Sequence, residues 1–327
     1  MYLPSTFIGA LTLTIVSTIC WGSWANTYKG TRGYPFVLFY WDYIAGMLLC
    51  LIVLAFTLGS FGATGEAFSK NIVAADHSNW LYALLAGFIF NLANLLLVAA
   101  IEIAGLAVAF PIAVGIALIE GVAISYALQP KGMVLYLTAG VSMAVIAVLF
   151  DARAYRSLGN IATQKSKTRG VAISIVSGLL MGTFAPFVAR AMTEGHTLGP
   201  YGVGVLLGVG ALVSCLFANT YLMRRPLFGV PVSFREYLTA PAKNHFLGIV
   251  GGAIWGVGGC LNLVAAGLLG VPISYAIGQS APLIAAAWGV FVWREFAGAP
   301  RRAWISLTLM FICYIAAIGL IAAAYQR

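Results

Sequence analysis

The chain has 327 residues, of which 61% are hydrophobic and only 8% are charged, and its mean hydropathy is +0.96. A soluble domain carries about 25% charged residues, so this chain has too little polar surface to be covered by water. We therefore expect a protein whose solvent is the lipid bilayer. The net charge of +9 does not indicate nucleic-acid binding, because no soluble domain is predicted that would carry a basic surface.

Ten apolar runs follow one another along the chain, and each supplies the roughly 20 residues that a helix needs to cross a membrane. The first run lacks the positive segment and cleavage-like site of a signal peptide, so we predict that it is retained as a span. Predicted helices 1 to 5 cover residues 6–28, 37–58, 80–101, 105–128 and 132–150. Predicted helices 6 to 10 cover residues 171–192, 201–222, 246–268, 272–293 and 304–325. β-barrel alternation is absent, and the predicted fold class is an all-α integral membrane protein.

The distribution of Lys and Arg between the loops predicts the orientation. Segments that follow odd-numbered helices hold fourteen of the eighteen Lys and Arg residues, and the opposite side holds four. Because positively charged loops stay in the cytoplasm, we expect both termini outside. The predicted location is the cell inner membrane, with anionic lipid headgroups beside the basic loops.

One polar, basic segment divides the chain. Residues 151–170, "DARAYRSLGNIATQKSKTRG", are predicted to be a cytoplasmic linker between a first five-helix repeat, 1–150, and a second, 171–327. An odd number of spans in each half forces the two halves into opposite orientations. Inverted repeats of this kind are typical of alternating-access transporters, whose substrate site lies near the middle of the membrane.

Short internal matches support a duplication. "TIVSTICWGSWA" (Thr14–Ala25) aligns with "SIVSGLLMGTFA" (Ser174–Ala185), sharing Ile-Val-Ser, a glycine and an alanine. The runs "LLVAA" and "NLVAA" also correspond, and a glycine follows each within a few residues, Gly105 and Gly270. The two halves are therefore predicted to have a common origin.

Polar and aromatic side chains inside the predicted helices are candidates for a substrate site. They fall on helices 1, 3, 8 and 9, and Pro111 and Pro282 are expected to interrupt corresponding helices of the two halves, which favours a site there. Aromatic rings would stack on a flat or ring-shaped solute, while amides and hydroxyls would bond to it. The alternative is that these polar groups hold helices together. The candidate substrate-binding residues are Trp21, Trp24, Asn26, Asn91, Asn94, Trp255, Asn262, Tyr275, Gln279 and Ser280.

Two carboxylates lie within predicted helices. Asp42 is about five residues into helix 2, and Glu120 is deeper, in helix 4. Intramembrane acids are costly and often relay protons, and a carboxyl that is protonated on one side and deprotonated on the other couples transport to a proton gradient. Asp42 and Glu120 are the proton-coupling candidates. The alternatives are an interfacial Asp42 and a Glu120 that serves only as a structural hydrogen-bonding group.

Four motifs, in order along the chain, resemble the ureide permease branch of the drug/metabolite transporter superfamily, which neighbours the bacterial glucose and rhamnose uptake proteins. "WGSW" (Trp21–Trp24) resembles the branch's Gly-Thr-Trp-Pro motif, and "YWDY" (Tyr40–Tyr43) resembles its Tyr-Leu-Asp-Tyr. "NLANL" (Asn91–Leu95) resembles its Gly-Asn-Leu. "IGQSAPLIAAAWGVFVWREF" (Ile277–Phe296) resembles its Gln-x-x-Pro-Leu followed by Trp-Gly and a Glu.

The resemblance implies a ten-helix, proton-coupled importer of small neutral nitrogenous solutes such as allantoin, uracil or oxopurines. It gives Asp42, Asn94 and Gln279 the strongest expectation of a role. The chain departs from the branch at Asn26, which stands near the expected proline, and at Gly259, where the branch often has Asn; no branch carboxylate corresponds to Glu120. Uptake of a monosaccharide therefore stays open, since sugars also stack on Trp and bond to Asn and Gln.

Other functions are less favoured by the residues. Multidrug cation efflux is weaker because helix 1 contains no acid, although Glu120 would suit a cation. An intramembrane enzyme is not expected, because the three histidines lie in loops or at helix ends and no HExxH or GxGD motif is present. A passive channel and the oligomeric state are left open. No cofactor and no metal site are predicted, and the five cysteines have no metal-ligand spacing.

Overall fold

The computed structural model describes residues 1–61, 64–158 and 164–325, and of residues 164–167 its backbone alone. Within these residues the chain is helical, and no strand is present. Ten helical segments are long and apolar enough to cross a membrane, which confirms the ten predicted spans. The chain is a multi-pass membrane protein.

The spans are numbered 1 to 10 in chain order. Spans 1 to 5 are Phe7–Lys29, Phe36–Phe61, His77–Ala104, Leu106–Leu128 and Val134–Arg156. Spans 6 to 10 are Thr168–Ala191, Pro200–Arg224, Ala242–Leu269, Val271–Val292 and Arg301–Ala323. Span 5 runs six residues beyond its predicted end, so part of the predicted linker is helical. The side chains of Lys165 and Lys167, and the whole of Arg327, lie outside the described residues.

Three spans are broken. Span 1 consists of Phe7–Ser23 and Ala25–Lys29, and span 2 of Phe36–Phe56 and Leu58–Phe61. Span 9 is made of the helical segments Val271–Gly278 and Ala281–Ala287 and a π-helical turn, Trp288–Val292. Two short helices lie in loops, Phe68–Ala74 between spans 2 and 3 and Phe234–Leu238 between spans 7 and 8.

The predicted interruption of span 4 at Pro111 is wrong. Its helix continues from Leu106 to Leu128 through this proline. Pro111 is the sixth residue of the helix, where its missing N–H costs a single bond near the start of the ladder. The break in span 9 instead falls at Gln279 and Ser280, immediately before Pro282, which occupies the first turn of the next helical segment, a position that proline tolerates.

Single glycines connect spans 3 and 4 and spans 8 and 9. Gly105 has φ 83° and ψ 154°, and Gly270 has φ 88° and ψ 149°. Each glycine N–H also donates to the carbonyl four residues earlier, at 2.8 Å. A positive φ with this extended ψ is accessible to glycine almost alone. The two halves therefore turn in the same way at the corresponding point of the chain.

The interior is built from spans 3 and 8, each packed against two spans of the other half. Span 3 contacts spans 6 and 7, span 8 contacts spans 1 and 2, and spans 5 and 10 pack together at the edge. Glycines allow the closest approaches: a Cβ at Gly87 would lie 1.9 Å from the Leu207 carbonyl oxygen, and one at Gly252 would lie 1.9 Å from that of Tyr43. Small residues at such crossings are typical of membrane helix packing.

Both chain ends lie at the same end of the bundle. The Tyr2 N–H donates to the Leu58 carbonyl at 2.7 Å, and the Met133 N–H donates to the Ala324 carbonyl at 2.7 Å. We call this the terminal end. The opposite end carries the loops after spans 1, 3, 5, 7 and 9, which hold most of the Lys and Arg residues of the sequence. We call it the basic end.

Candidate functional site

A central cavity lies between spans of both halves. Its free volume is about 30 Å³, well below the size range of small-molecule sites, so the walls are closed on one another in this structure and must separate to admit a solute. Apart from Trp21 and Trp255, which lie near the middle of their spans, the lining residues belong to the half of each span nearer the terminal end. Its walls are formed by Trp21, Leu51, Phe184, Ala185, Val188, Gly204, Leu207, Trp255, Gly259, Asn262, Leu263, Ala266, Val271, Ser274 and Tyr275.

A chain of aromatic rings runs along the wall of this cavity. Trp21 and Trp255 are stacked with ring centroids 5.7 Å apart, and Phe90, which lies outside the lining, packs on Trp255 at 4.6 Å. Phe184 meets Phe90 edge to face at 5.5 Å and Tyr275 at 5.7 Å. These rings come from spans 1, 3, 6, 8 and 9. The rings of Trp21, Phe184, Trp255 and Tyr275 therefore give the cavity a largely aromatic wall.

A few polar groups interrupt this apolar surface. The Asn262 side-chain amide donates to the Ser274 carbonyl at 3.0 Å, which fixes the orientation of the amide between spans 8 and 9. The indole N–H of Trp21 is buried without a hydrogen-bond partner. The Tyr275 hydroxyl lies 3.2 Å from the Ala117 carbonyl and 3.3 Å from that of Met181. A buried donor without a partner is costly, so the Trp21 N–H is a natural contact for a solute acceptor.

The structure brings four of the ten candidate binding residues into the cavity wall: Trp21, Trp255, Asn262 and Tyr275. Asn91 and Asn94 are buried elsewhere. Asn91 donates to the Ser214 hydroxyl at 3.1 Å, and Asn94 donates to the Tyr40 hydroxyl at 3.0 Å. These two bonds join span 3 to spans 7 and 2, which is the helix-linking role of intramembrane amides.

The remaining four candidates lie away from the cavity lining. Trp24 packs against Tyr43 with centroids 4.7 Å apart. The Asn26 side-chain oxygen accepts from the Trp293 indole at the basic end. Gln279 caps the first helical segment of span 9. Ser280 is fully buried at the same break, and its hydroxyl has no partner.

Asp42 lies at the basic end, in contact with two side chains of the other half. The Tyr237 hydroxyl donates to Oδ1 at 2.7 Å, and Nδ1 of His245 lies 2.8 Å from Oδ2. Burial and this carboxylate raise the pKa of Tyr237 well above its usual range, so its hydroxyl is a donor throughout the physiological range. Burial and the charge of Asp42 likewise raise the pKa of Tyr34 to about 12.

Tyr237 and His245 were not among the sequence candidates. Tyr237 comes from the short helix Phe234–Leu238, whose capping box between Ser233 and Glu236 is visible in the sequence. His245 is the fourth residue of span 8. Each residue stands about 200 positions from Asp42, so no local spacing connects them. In the sequence, these partners of Asp42 were indicated only by the position of His245, which lies near the start of a span and follows a capped helix.

Glu120 lies between spans 4 and 6. The Thr183 hydroxyl donates to its Oε1 at 3.1 Å, while its Oε2 is buried without a partner. A Cβ at Gly182 would lie 2.8 Å from this Oε2, so the carboxyl packs directly on the backbone of span 6. Pro186 lies four residues further along that span and removes the N–H that the Gly182 carbonyl would otherwise accept.

The basic end is closed by contacts between the two halves. Lys29 of span 1 pairs with Glu295 and lies over the Trp293 ring at 4.4 Å. The Tyr155 hydroxyl of span 5 donates to the same Glu295 carboxylate at 3.1 Å. Together with the Asp42 contacts, these groups hold spans 1, 2 and 5 to the second half on this side of the cavity.

Comparison with known proteins adds to this geometry. A sequence model of the ureide permease family matches residues 153–324, more than half of the chain. Ureide permease 2 of Arabidopsis thaliana is 23% identical over 395 aligned residues, covering 99% of both chains. Ureide permease 1 of the same plant is 22% identical over 390 residues, with the same coverage. A solved crystal structure, 15% identical, has a TM-score of 0.64 over 94% of this chain and 97% of its own, which shows a shared fold.

Ten membrane-crossing helices around a central aromatic cavity define a multi-pass membrane protein. With the match over more than half of its length and relatives aligned from end to end, the chain belongs to the ureide permease family.

Proposed function

We propose that this protein is a proton-coupled secondary transporter that imports a small neutral heterocyclic solute, a ureide or nucleobase such as allantoin, uracil or an oxopurine, by alternating access. The observation that carries the proposal is the central cavity, which is lined by aromatic rings of four spans together with the Asn262 amide. Flat heterocycles combine π faces with in-plane donors and acceptors, and this wall offers partners for both. The names of the Arabidopsis relatives support a ureide.

Alternating access is supported by the relation between the halves. Gly105 and Gly270 make the same turn at corresponding points, and spans 3 and 8 each pack on spans of the other half. An odd number of spans before the linker makes such repeats inverted. The motifs that resemble the ureide permease branch are our ground for proposing that the chain belongs to the drug/metabolite transporter superfamily. With the positively charged loops in the cytoplasm, both termini are outside and the cavity leans outwards.

Proton coupling is assigned to Asp42 and Glu120. Each carboxylate contacts the opposite half, Asp42 through Tyr237 and His245, and Glu120 through Thr183. A group that joins the halves experiences different surroundings when they move, which is what coupling of protonation to conformation requires. Neither carboxylate lines the cavity. The groups that select a neutral solute are therefore different from the groups that couple transport to protons.

A monosaccharide is the second candidate solute, because sugars also stack on Trp rings and bond to an amide such as that of Asn262. Cation efflux is less favoured, since the cavity wall contains no carboxylate among its described lining residues. A buried cation without a counter-charge would be costly.

The experiment is uptake into proteoliposomes across an imposed pH gradient, with labelled uracil, allantoin and xanthine compared with glucose and rhamnose. Saturable accumulation of a heterocycle, abolished when the gradient is collapsed, is the expected result. Accumulation of a sugar alone would assign the cavity to the second candidate. Uptake that does not saturate and never exceeds equilibrium would contradict a carrier.

A further inference from the structure

The Asp42 carboxylate is held by a histidine that reaches towards solvent. The Asp42 side chain is 7% exposed, whereas that of His245 is 26% exposed. Nδ1 of His245 faces Oδ2 of Asp42 at 2.8 Å, so Nε2 is the ring nitrogen that this contact leaves available for water. The pair therefore forms a path of two titratable groups from a buried position to the surface.

The packing around this pair is tight and crosses between the halves. A Cβ at Gly248 would lie 2.4 Å from the Asp42 Cβ, so span 8 directly covers the carboxylate. Tyr237 occupies Oδ1 at 2.7 Å and also packs edge to face on the His245 ring, with centroids 4.8 Å apart. The titratable side chains that the structure places around Asp42 are thus Tyr34, Tyr237 and His245.

We propose that His245 is the residue through which Asp42 exchanges its proton with water at the basic end, so that the coupled proton is carried by the Asp42–His245 pair. The inference rests on the proposed function and identifies a residue for its coupling step. Histidine is suited to this role because its ordinary titration range includes physiological pH, and because one ring nitrogen can accept a proton while the other donates one.

The proton passes from Asp42 to His245 and then to water, and no other group is needed. The protonated Asp42 carboxyl gives its proton from Oδ2 to Nδ1 of neutral His245, forming an imidazolium beside a carboxylate. The imidazolium then releases the proton of its other ring nitrogen, Nε2, to water at the basic end. Asp42 is left as a carboxylate that accepts from Tyr237, and His245 is left neutral. Tyr237 acts as a positioning residue, because its hydroxyl and ring fix the carboxylate and the imidazole relative to each other.

The test is His245→Gln in proteoliposomes, with His196→Gln as the matched control. His196 is exposed at the terminal end, and only its backbone N–H contacts a carboxylate, that of Asp76. Two readouts are compared: exchange of labelled heterocycle across the membrane without a gradient, and accumulation driven by a pH gradient with a proton-sensitive dye inside the vesicles. Exchange needs no net proton transfer, whereas accumulation does.

We expect His245→Gln to exchange solute as wild type does. Its gradient-driven accumulation and the accompanying proton signal should be about tenfold lower, whereas His196→Gln should match wild type in all three. Accumulation and proton flux equal to wild type in His245→Gln would overturn the role of His245 but leave the proposed function standing. Loss of exchange together with accumulation, at an unchanged unfolding temperature, would also overturn it, because His245 would then serve solute passage itself. His245→Asn provides the same readouts where His245→Gln does not fold. Failure of the wild-type protein to exchange any heterocycle would instead overturn the proposed function, and the inference with it.

Discussion

The rings of Trp21 and Trp255 stack at 5.7 Å with an interplanar angle of 18° in the wall of the central cavity. Trp21 belongs to span 1 and Trp255 to span 8, so the contact joins the two halves of the chain where a solute would bind. Replacing Trp255 therefore removes both an aromatic wall and a contact between the halves.

We expect Trp255→Ala to weaken binding of the transported heterocycle by about tenfold or more, since aromatic contacts contribute roughly 0.5–1.5 kcal/mol beyond their buried area and 1.4 kcal/mol corresponds to about tenfold. Trp255→Phe should retain part of the affinity. Titration calorimetry of purified protein measures both. Trp304→Ala, which removes a 44% exposed indole far from the cavity, should leave the affinity unchanged; equal losses in the two variants would contradict the assignment.

Asn262 and Asn91 are both buried amides, but only Asn262 lines the cavity. Asn262→Ala should lower solute affinity by about tenfold, because an unsatisfied buried group costs roughly 1–3 kcal/mol. Asn91→Ala should instead lower the unfolding temperature, since it removes the bond to Ser214 between spans 3 and 7, and should leave affinity unchanged. Calorimetry and thermal unfolding in detergent separate the two effects. An affinity loss on Asn91→Ala larger than that on Asn262→Ala would place the solute elsewhere.

Two glycines of span 8 provide a matched pair for packing. A Cβ at Gly252 would meet the Tyr43 carbonyl oxygen at 1.9 Å, whereas one at Gly267 meets nothing within 4 Å. Gly252→Ala must push spans 2 and 8 apart, and overpacking of this kind costs about 1–3 kcal/mol. We expect Gly252→Ala to have a clearly lower unfolding temperature than wild type, and Gly267→Ala to have the same unfolding temperature as wild type. A stable Gly252→Ala protein would show that the two spans are less close than described.

Tyr237→Phe should lower gradient-driven accumulation by about threefold or more while leaving solute exchange without a gradient close to that of wild type. The Tyr237 hydroxyl donates to the Asp42 carboxylate at 2.7 Å, and a hydrogen bond to a charged group is worth roughly 1.5–3 kcal/mol. Its loss removes the contact that holds this carboxylate beside His245. Accumulation and exchange in proteoliposomes measure the two effects separately.

Tyr34→Phe is the control for this loss. Tyr34 lies near Asp42, but its buried hydroxyl has no hydrogen-bond partner. Its removal should leave accumulation close to that of wild type. Accumulation equal to wild type in Tyr237→Phe as well would show that the hydroxyl of Tyr237 does not position Asp42 for coupling.

The sequence predicted the ten spans well because length and hydropathy decide membrane insertion residue by residue. It also indicated Trp21, Trp255, Asn262 and Tyr275, since aromatic and amide groups stand out in apolar helices. It could not distinguish Phe90 and Phe184, which form part of the same aromatic surface, from phenylalanines that face lipid. Helical periodicity gives the face on which a residue lies but not the neighbour that the face meets.

The limits of periodicity explain the other differences. Asn91 and Asn94 share a face with helical spacing, yet each bonds to a different neighbouring span. Asp42 was recognised as costly, but its partners Tyr237 and His245 come from the second half and are brought to it only by the packing of spans 2 and 8. Pairings between distant segments depend on three-dimensional packing, which a single sequence does not specify.

Protection of a single cysteine shows whether the transported heterocycle binds in the aromatic cavity. The five native cysteines are replaced by alanine, and Ala185, which lines the cavity, is replaced by cysteine. The rate of reaction with a small methanethiosulfonate reagent is then measured with and without solute. A cysteine at the exposed position of His196 serves as the control. We predict that allantoin or uracil slows labelling of Ala185→Cys in a saturable manner and leaves that of His196→Cys unchanged. Labelling of Ala185→Cys that is unaffected by a heterocycle which the same protein transports would contradict the account.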